Sequence, residues 1–333
     1  MDNVERDVPN LVKPDDIQIT EDLEKAYYKV PVAEEARPYL ATFHAGLFFL
    51  SMVMLFGMCQ APFYFTMICK PIARLFGALR CPALNYIDDW FWSTSPHKLT
   101  SVRLFITALF GMLGWTFNDK GEEGMSVKFL GFIIDSVRRQ FVVPLERATA
   151  VRDALREFAL SASARKPVER KQLERAMGSV IAMTLVIPGV RVWCRALYAL
   201  LYTTSSVVMI TSVAQHELEV LIFLITFCND SPFLDPTHDV SMWVDSGEIG
   251  WGASAGGVEA KGQFGAALIG SSSTRRELKG LALALSHPAI NAVVSGRTVA
   301  LHMDSMCSVR NLIKGGGPVT GLVGIGEGDL DDL

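Results

Sequence analysis

The chain has 333 residues, half of them hydrophobic and 20% charged, which excludes a disordered protein and leaves room for two or three domains with their own cores. A formal net charge of −4 excludes a uniformly basic nucleic-acid coat, while leaving a local basic face open. The six cysteines, Cys59, Cys69, Cys81, Cys194, Cys228 and Cys307, are scattered without CxxC or a histidine at ligand spacing. That pattern argues against a disulfide framework or a zinc site and fits best a reducing compartment, so an intracellular location, cytoplasm or nucleus, is expected.

The N-terminal MDNVERDVPNLVKPDD is charged and has no apolar core of the kind a secretory signal carries. Asp22 to Pro31, DLEKAYYKVP, reads as a strand running into a turn and a short helix. Between Arg37 and Lys70 there is no Asp, Glu, Lys or Arg, and Ala196 to Gln215 is equally uncharged, each stretch approaching the ~20 residues of a spanning helix. Gly46, Gly57, Gln60 and Pro62 interrupt the first stretch. It reads better as two buried strands around the turn His44-Ala45-Gly46, followed by a helix from Pro62, a residue favoured in the first helical turn. No membrane is expected.

Phe65, Ile68, Ile72, Leu75, Phe76 and Leu79 recur at helical spacing, so Pro62 to Leu79 is predicted helical. Ala83 to Phe91 is predicted as a hairpin with Asp88-Asp89 at its tip, followed by a helix from about Lys98 to Leu113 and a second hairpin around Lys128 to Phe132. From Arg138 to Arg175 ten basic side chains stand against five acidic ones on segments of helical periodicity, which predicts a basic helical face or, equally, a solvated face with i to i+4 ion pairs. Helical character continues to about Asp230. Asn229-Asp230-Ser231-Pro232 with Asp235-Pro236 then reads as a linker. A Gly-rich region of short strands follows, at Ser241 to Asp245, Gly250 to Ala255, Gly262 to Ile269 and Thr298 to Asp304. Helices are predicted at Ser273 to Leu285, with Ser273 as N-cap, and at Ser305 to Ile313.

Two acidic sets stand out. Asp245 and Asp304 end apolar strands, and Glu277 lies at the start of a helix between them. Neighbouring carboxylates without cationic partners are stable mainly when divalent cations bind them, and two metals ~4 Å apart stabilise attacking and leaving oxygens in phosphodiester chemistry. Asp22, at a strand end, with Asp88 and Asp89 forms an analogous set. Taken singly, any of these acids is as well explained as a cap, a turn or a surface residue.

In their order, Asp22-Leu-Glu-Lys-Ala-Tyr27, Phe56-Gly57-Met-Cys-Gln-Ala61-Pro62-Phe63, Tyr86-Ile-Asp-Asp89, Leu113-Gly-Trp-Thr-Phe-Asn-Asp-Lys120 and Phe129-Leu-Gly-Phe132 resemble the palm motifs of reverse transcriptases. Trp243-Val-Asp245, Glu277 and Met303-Asp304 resemble the downstream ribonuclease H domain of retroelements. WVDSGEIGWGA, STRRELKGL and HMDSMCSVRNLIKGGG resemble most the DIRS-type (tyrosine-recombinase) retrotransposon polyproteins. The likeness runs from Asp22 to about Pro318, and it is the ordered company of motifs, not YIDD alone, that makes it specific.

The resemblance implies an α+β chain: a polymerase palm over residues 1–136 with its fingers largely missing, a helical thumb or connection over 137–235, and an incomplete α/β ribonuclease H-like domain over 236–333. It implies Mg²⁺ or Mn²⁺ at Asp22, Asp88 and Asp89 and at Asp245, Glu277 and Asp304, the former set extending a DNA primer and the latter cleaving the RNA of an RNA–DNA hybrid. Tyr27 matches the position that screens the ribose 2′-hydroxyl, and its other reading is a core aromatic. Gly57 and Gln60 belong to the floor under the incoming deoxynucleoside triphosphate, Lys120 to its leaving pyrophosphate, and Leu130, Gly131 and Phe132 to the primer grip. Arg165, Lys166, Arg170 and Lys171 would contact the backbone of RNA template, DNA primer and hybrid. Other retroelement domains are expected partners.

Twenty-one residues precede Asp22, and the chain closes on GLVGIGEGDLDDL. The expectation is therefore truncation at both ends, with Asp329, Asp331 and Asp332 read as a frayed acidic tail and with activity left open. Leu55 stands where many relatives carry Pro. Two other classes stay open, a non-catalytic nucleic-acid-binding remnant and an integral membrane protein. The ordered acidic motifs have no explanation in the second of these.

Overall fold

A computed structural model describes residues 4–187, 189–233 and 237–313. Asp235-Pro236 and the acidic tail with Asp329, Asp331 and Asp332 lie outside the described residues. In chain order the elements are helix α1 (Val4–Leu11), β1 (Ile17–Asp22), β2 (Ala41–His44), β3 (Leu47–Leu50), α2 (Ala61–Ala78), β4 (Ala83–Tyr86), β5 (Asp89–Thr94), α3 (Leu99–Met112), β6 (Glu122–Gly124), β7 (Ser126–Phe129), β8 (Phe132–Asp135) and β9 (Gln140–Val142). They continue with α4 (Leu145–Ser163), β10 (Val168–Glu169), α5 (Arg170–Ile181), α6 (Arg195–Leu201), β11 (Val207–Val208), α7 (Ser212–Phe227), β12 (Asp230–Pro232), β13 (Val240–Ser246), β14 (Gly250–Ala255), β15 (Val258–Gln263), α8 (Ser273–Ser286), α9 (Pro288–Val294), β16 (Val299–His302) and α10 (Met306–Ile313).

The described residues form two compact units, the first of residues 4–153, 185–187 and 223–233, the second of the remainder. The first is built on an antiparallel sheet in the order β4-β5-β1-β6. Its two central strands are buried on both faces, as DWFWST and IQITED require if neither face is to meet water. Alternation sends Trp90 and Trp92 to one side, where Phe65, Cys69 and Phe76 of α2 and Ile106 and Phe110 of α3 cover them. Phe91 points to the other side, against Phe129. A second sheet, β12-β9-β8-β7, completes this unit.

The second unit contains helical segments and a four-stranded sheet. Its carboxylate Glu217 is buried on α7 and accepts hydrogen bonds from Ala196 N and Leu197 N, both at 2.9 Å, at the start of α6. These are orphan donors of a helix N-terminus, and the Glu217 carboxyl oxygens satisfy them. Glu217→Ala is expected to lower stability by about 1–3 kcal/mol in urea denaturation, with Glu217→Gln in between. The sheet, ordered β15-β14-β13-β16, is antiparallel except for the parallel β13–β16 pair. α8 and α9 cover one of its faces around Met242, Val244, Leu281, Ala284 and Ile290.

Several expectations are corrected. β2 and β3 do form around Ala45-Gly46, but they are exposed, with Phe43 at 62% and Phe48 at 75%; absence of charge is common to a buried strand and to an apolar surface hairpin. Ile68, Leu75 and Leu79 likewise face solvent. The expected linker Asp230-Ser231-Pro232 is strand β12, paired with β9 as an edge, where proline is tolerated. The strand placed at Gly262 to Ile269 lies earlier, as β15, because its partner β14 fixes the register Trp251↔Gly262. The N-cap of α8 is Ser272, whose hydroxyl accepts from Arg275 N, and α9 was not expected. The uncharged stretches are divided among several separate elements, and among the described residues no helix is long and apolar enough to cross a membrane.

Candidate catalytic sites

Two acidic sets occupy the two units. In the first, Asp22 ends β1 directly opposite Asp89 of β5. Tyr86 and Asp89 also pair, leaving Ile87-Asp88 as a two-residue turn. Such turns favour Gly or Asn where φ is positive, yet Ile87 has φ +60°, a costly conformation for a β-branched residue. The carbonyl of Ile87 is held by Asn85 Nδ2 at 2.8 Å, and Leu23 N donates to Asp88 O at 3.0 Å. The tip is thus fixed by its neighbours against local preference. Asn118, quoted in a motif but given no role by the sequence, anchors β1 from the other side: its Nδ2 donates to Asp22 Oδ2 at 2.5 Å, and its backbone N–H to Asp22 O at 2.9 Å.

Burial, then Asp88, then Asp22 push the Asp89 carboxyl up to about 6. Burial also raises Asp88, opposed by its own backbone N–H and reinforced by Asp22. Tyr27 is in the core, its ring 4.9 Å from Phe56 and 5.3 Å from Phe65. It also lines, with Gly57, Pro62 and Asp88, a cleft of about 420 Å³. Gly57 needs its glycine, with φ +87°. Gln60 and Lys120 are exposed and do not line the cleft. Leu130 and Gly131, at φ +48° and +83°, form the β7–β8 turn. Arg147 grips that turn, donating to Gly131 O at 2.8 Å and lying 5.4 Å over the Phe132 ring.

In the second unit Asp245 lies on β13, Asp304 just beyond β16, and Glu277 in the second turn of α8. One carboxylate oxygen from each lies within 4.8 Å of the others, and among the described residues no other three His, Cys, Asp or Glu side chains meet so closely. Parallel pairing of β13 with β16 aligns the two strand ends. Gly280 seats the helix, since a Cβ there would collide with Ser246 Oγ and lie 3.1 Å from Trp251 Cβ. Glu277 is 3% exposed and its Oε2 is buried without a hydrogen-bond partner. Burial, then Asp304 and Asp245, push it up to about 7 against the lowering influence of Arg276. A buried unpaired oxygen facing two more carboxylates is a donor set for a hard divalent cation.

A pH dependence follows. Glu277 holds its proton in the folded chain to about 7, against an ordinary value of 4.5. The unfolded chain therefore releases that proton first as pH rises, and stability falls between about pH 4.5 and 7 from this group. In EDTA the melting temperature is expected to drop over that window, Mg²⁺ or Mn²⁺ to restore it near pH 7.5, and Glu277→Gln to remove both effects.

Arg165 and Lys166 follow α4, and Arg170 and Lys171 open α5, so the four sit around an elbow rather than along one helix face. Arg170 pairs with Glu174 at 3.4 Å, while among the described residues Arg165, Lys166 and Lys171 have no ion-pair partner.

No family model matches the chain, and no curated protein matches it in sequence. Its fold is similar to solved structures of the foamy viral protease-reverse transcriptase. With the complex bound to RNA/DNA hybrid the TM-score is 0.62 at 16% identity, over 93% of this chain and 41% of that one. With the dRH form bound to double-stranded DNA it is 0.59 at 15%, over 93% and 54%. With another double-stranded DNA complex it is 0.56 at 17%, over 90% and 62%. The chain thus spans from 41% to 62% of the length of these chains, and it has an α+β fold of reverse-transcriptase type.

Proposed function

We propose that this chain is an RNA-directed DNA polymerase with ribonuclease H activity, derived from a retrotransposon of DIRS-like kind. Residues 1–136 would form the palm, 137–235 the thumb or connection, and 236–333 the ribonuclease H-like domain. The observation that carries the reading is the convergence of Asp245, Glu277 and Asp304 within 4.8 Å, in a chain whose other unit brings Asp22 opposite Asp89 at a strained acidic turn.

Both donor sets fit Mg²⁺ or Mn²⁺, being all-oxygen and, among the described residues, lacking a salt-bridged cation, and when bound such ions offset charge on the reacting phosphate. The residues' own tasks follow from their places. Asp22 and Asp88, with Asp89 behind them, would present carboxylates beside the cleft floored by Gly57 and walled by Tyr27. A deoxynucleotide there would meet the Tyr27 ring where a ribose 2′-hydroxyl has no room. Lys120 would approach the pyrophosphate from solvent, and the Leu130-Gly131-Phe132 turn would hold the primer end. Arg165, Lys166, Arg170 and Lys171 supply sequence-independent cations for the template, primer and hybrid backbones. Asp245, Glu277 and Asp304 would act on the RNA strand of the hybrid.

A second reading, a nucleic-acid-binding remnant, is favoured by one observation: Asp22, Asp88 and Asp89 do not form a triad as close as the other set. The test is Mg²⁺-dependent primer extension on RNA, and hybrid cleavage, by the purified chain. Both activities support the enzyme. Hybrid binding without either, weakened when Arg165, Lys166, Arg170 and Lys171 are neutralised, supports the remnant.

A further inference from the structure

Beside the second acidic set the sheet carries an arrangement that metal binding does not require. Trp243 of β13 pairs in register with His302 of β16, and their rings stack with centroids 4.8 Å apart and planes 11° from parallel. Both lie on the open face of the sheet, Trp243 at 53% exposure. Each stands two residues before an acid, Trp243 before Asp245 and His302 before Asp304. Within β13, Trp243 and Asp245 share a strand face about 6.6 Å from each other, so the aromatic plane sits one step along that strand from the carboxylate.

The neighbouring strand leaves that plane uncovered. On β14 the residues opposite Trp243 and Asp245 are Ser254 and Gly252, which are too small to shield a ring. On β15 the residues opposite Ser254 and Gly252 are Glu259 and Lys261, both exposed and lining the same cleft of about 1510 Å³ as Trp243, Asp245 and His302, with Lys261 in line with Asp245. A large aromatic surface in water is unfavourable unless something buries it. A fitting occupant offers a flat or ring-shaped face next to an anion. A strand of a hybrid duplex has that chemistry: its bases are stacked within the helix, but its sugar faces, exposed along the shallow groove, meet aromatic side chains whatever the sequence, while phosphates meet the lysine.

We propose that the Trp243–His302 pair is a positioning platform that holds the nucleoside adjacent to the phosphodiester presented to Asp245, Glu277 and Asp304. This rests on the ribonuclease H reading above. The full chain is assayed for Mg²⁺-dependent cleavage of an RNA–DNA hybrid as wild type, Trp243→Leu, Trp243→Phe and His302→Ala. In EDTA, 4-thiouridine placed next to the cleavage position is photocrosslinked and its attachment mapped by mass spectrometry. Expected are a KM raised roughly tenfold in Trp243→Leu with kcat little changed, recovery in Trp243→Phe, a smaller rise in His302→Ala, and crosslinks on the peptides holding residues 243 and 302. Unchanged KM in both Trp243→Leu and His302→Ala, with crosslinks elsewhere, overturns the platform while cleavage by the wild type leaves the ribonuclease reading standing. A wild type that neither binds nor cleaves hybrid overturns both.

Discussion

Asp88→Asn is expected to lower primer extension on RNA by on the order of a thousandfold while leaving hybrid cleavage intact, and Glu277→Gln to do the reverse. Asparagine keeps the shape of aspartate and removes the anion that would hold a cation beside the reacting phosphate. Folding should survive the first change, because Asp88 is one of three carboxylates whose proximity and burial already raise Asp88 and Asp89. Removing one charge relieves repulsion, so the melting temperature in EDTA should hold or rise. The same holds for Glu277, whose buried carboxyl group lies beside Asp245 and Asp304 and is raised by both. Extension and cleavage assays run beside thermal denaturation check this. Loss of both activities from either single change would sink the assignment of separate reactions to the two acidic sets.

The second large effect concerns stability. Phe110 of α3 is 1% exposed and lies at the centre of an aromatic cluster, its ring 5.1 Å from Trp90, 6.0 Å from Trp92 and 4.8 Å from Phe117. Phe110→Ala removes the ring from contacts that rigid tryptophans cannot follow inward, and a buried Phe→Ala change costs about 3–5 kcal/mol. Set against a typical domain stability of about 5–15 kcal/mol, that is enough to bring the first unit close to unfolding at physiological temperature. Phe110→Leu, which refills part of the volume, should cost less than half as much. Urea denaturation monitored by tryptophan fluorescence reads both, and a Phe110→Ala protein with an unchanged midpoint would show that the cluster is not the core of that unit.

Several features were legible in the residues alone because they are local. The YIDD hairpin, the helical spacing from Phe65 to Phe76 and the SMWVD and TVALH strands follow from side-chain period and turn composition, whereas the strand expected to start at Asp22 in fact ends there, as β1. The order of the acids was legible too, since it needs only reading along the chain. Residues separated by many positions were not. Asn118 finds Asp22 ninety-six residues away, and no pattern near either one announces it.

Burial also escaped the sequence. Phe43 and Phe48 have the hydrophobicity of core residues and lie in water, whereas Glu217 and Glu277 have the polarity of surface residues and lie inside. The residue type states what burial would cost or gain, but only the surrounding chain decides whether burial occurs. The same is true of the strands at the edges. Asp230-Ser231-Pro232 has turn composition and becomes a strand because β9 offers it unpaired backbone groups. By itself, then, the sequence determined where the acidic residues stand and in what order. The tertiary structure decided that Asp245, Glu277 and Asp304 meet while Trp243 and His302 stack beside them, because contact between distant residues depends on strand register and helix seating, which only the packed chain sets.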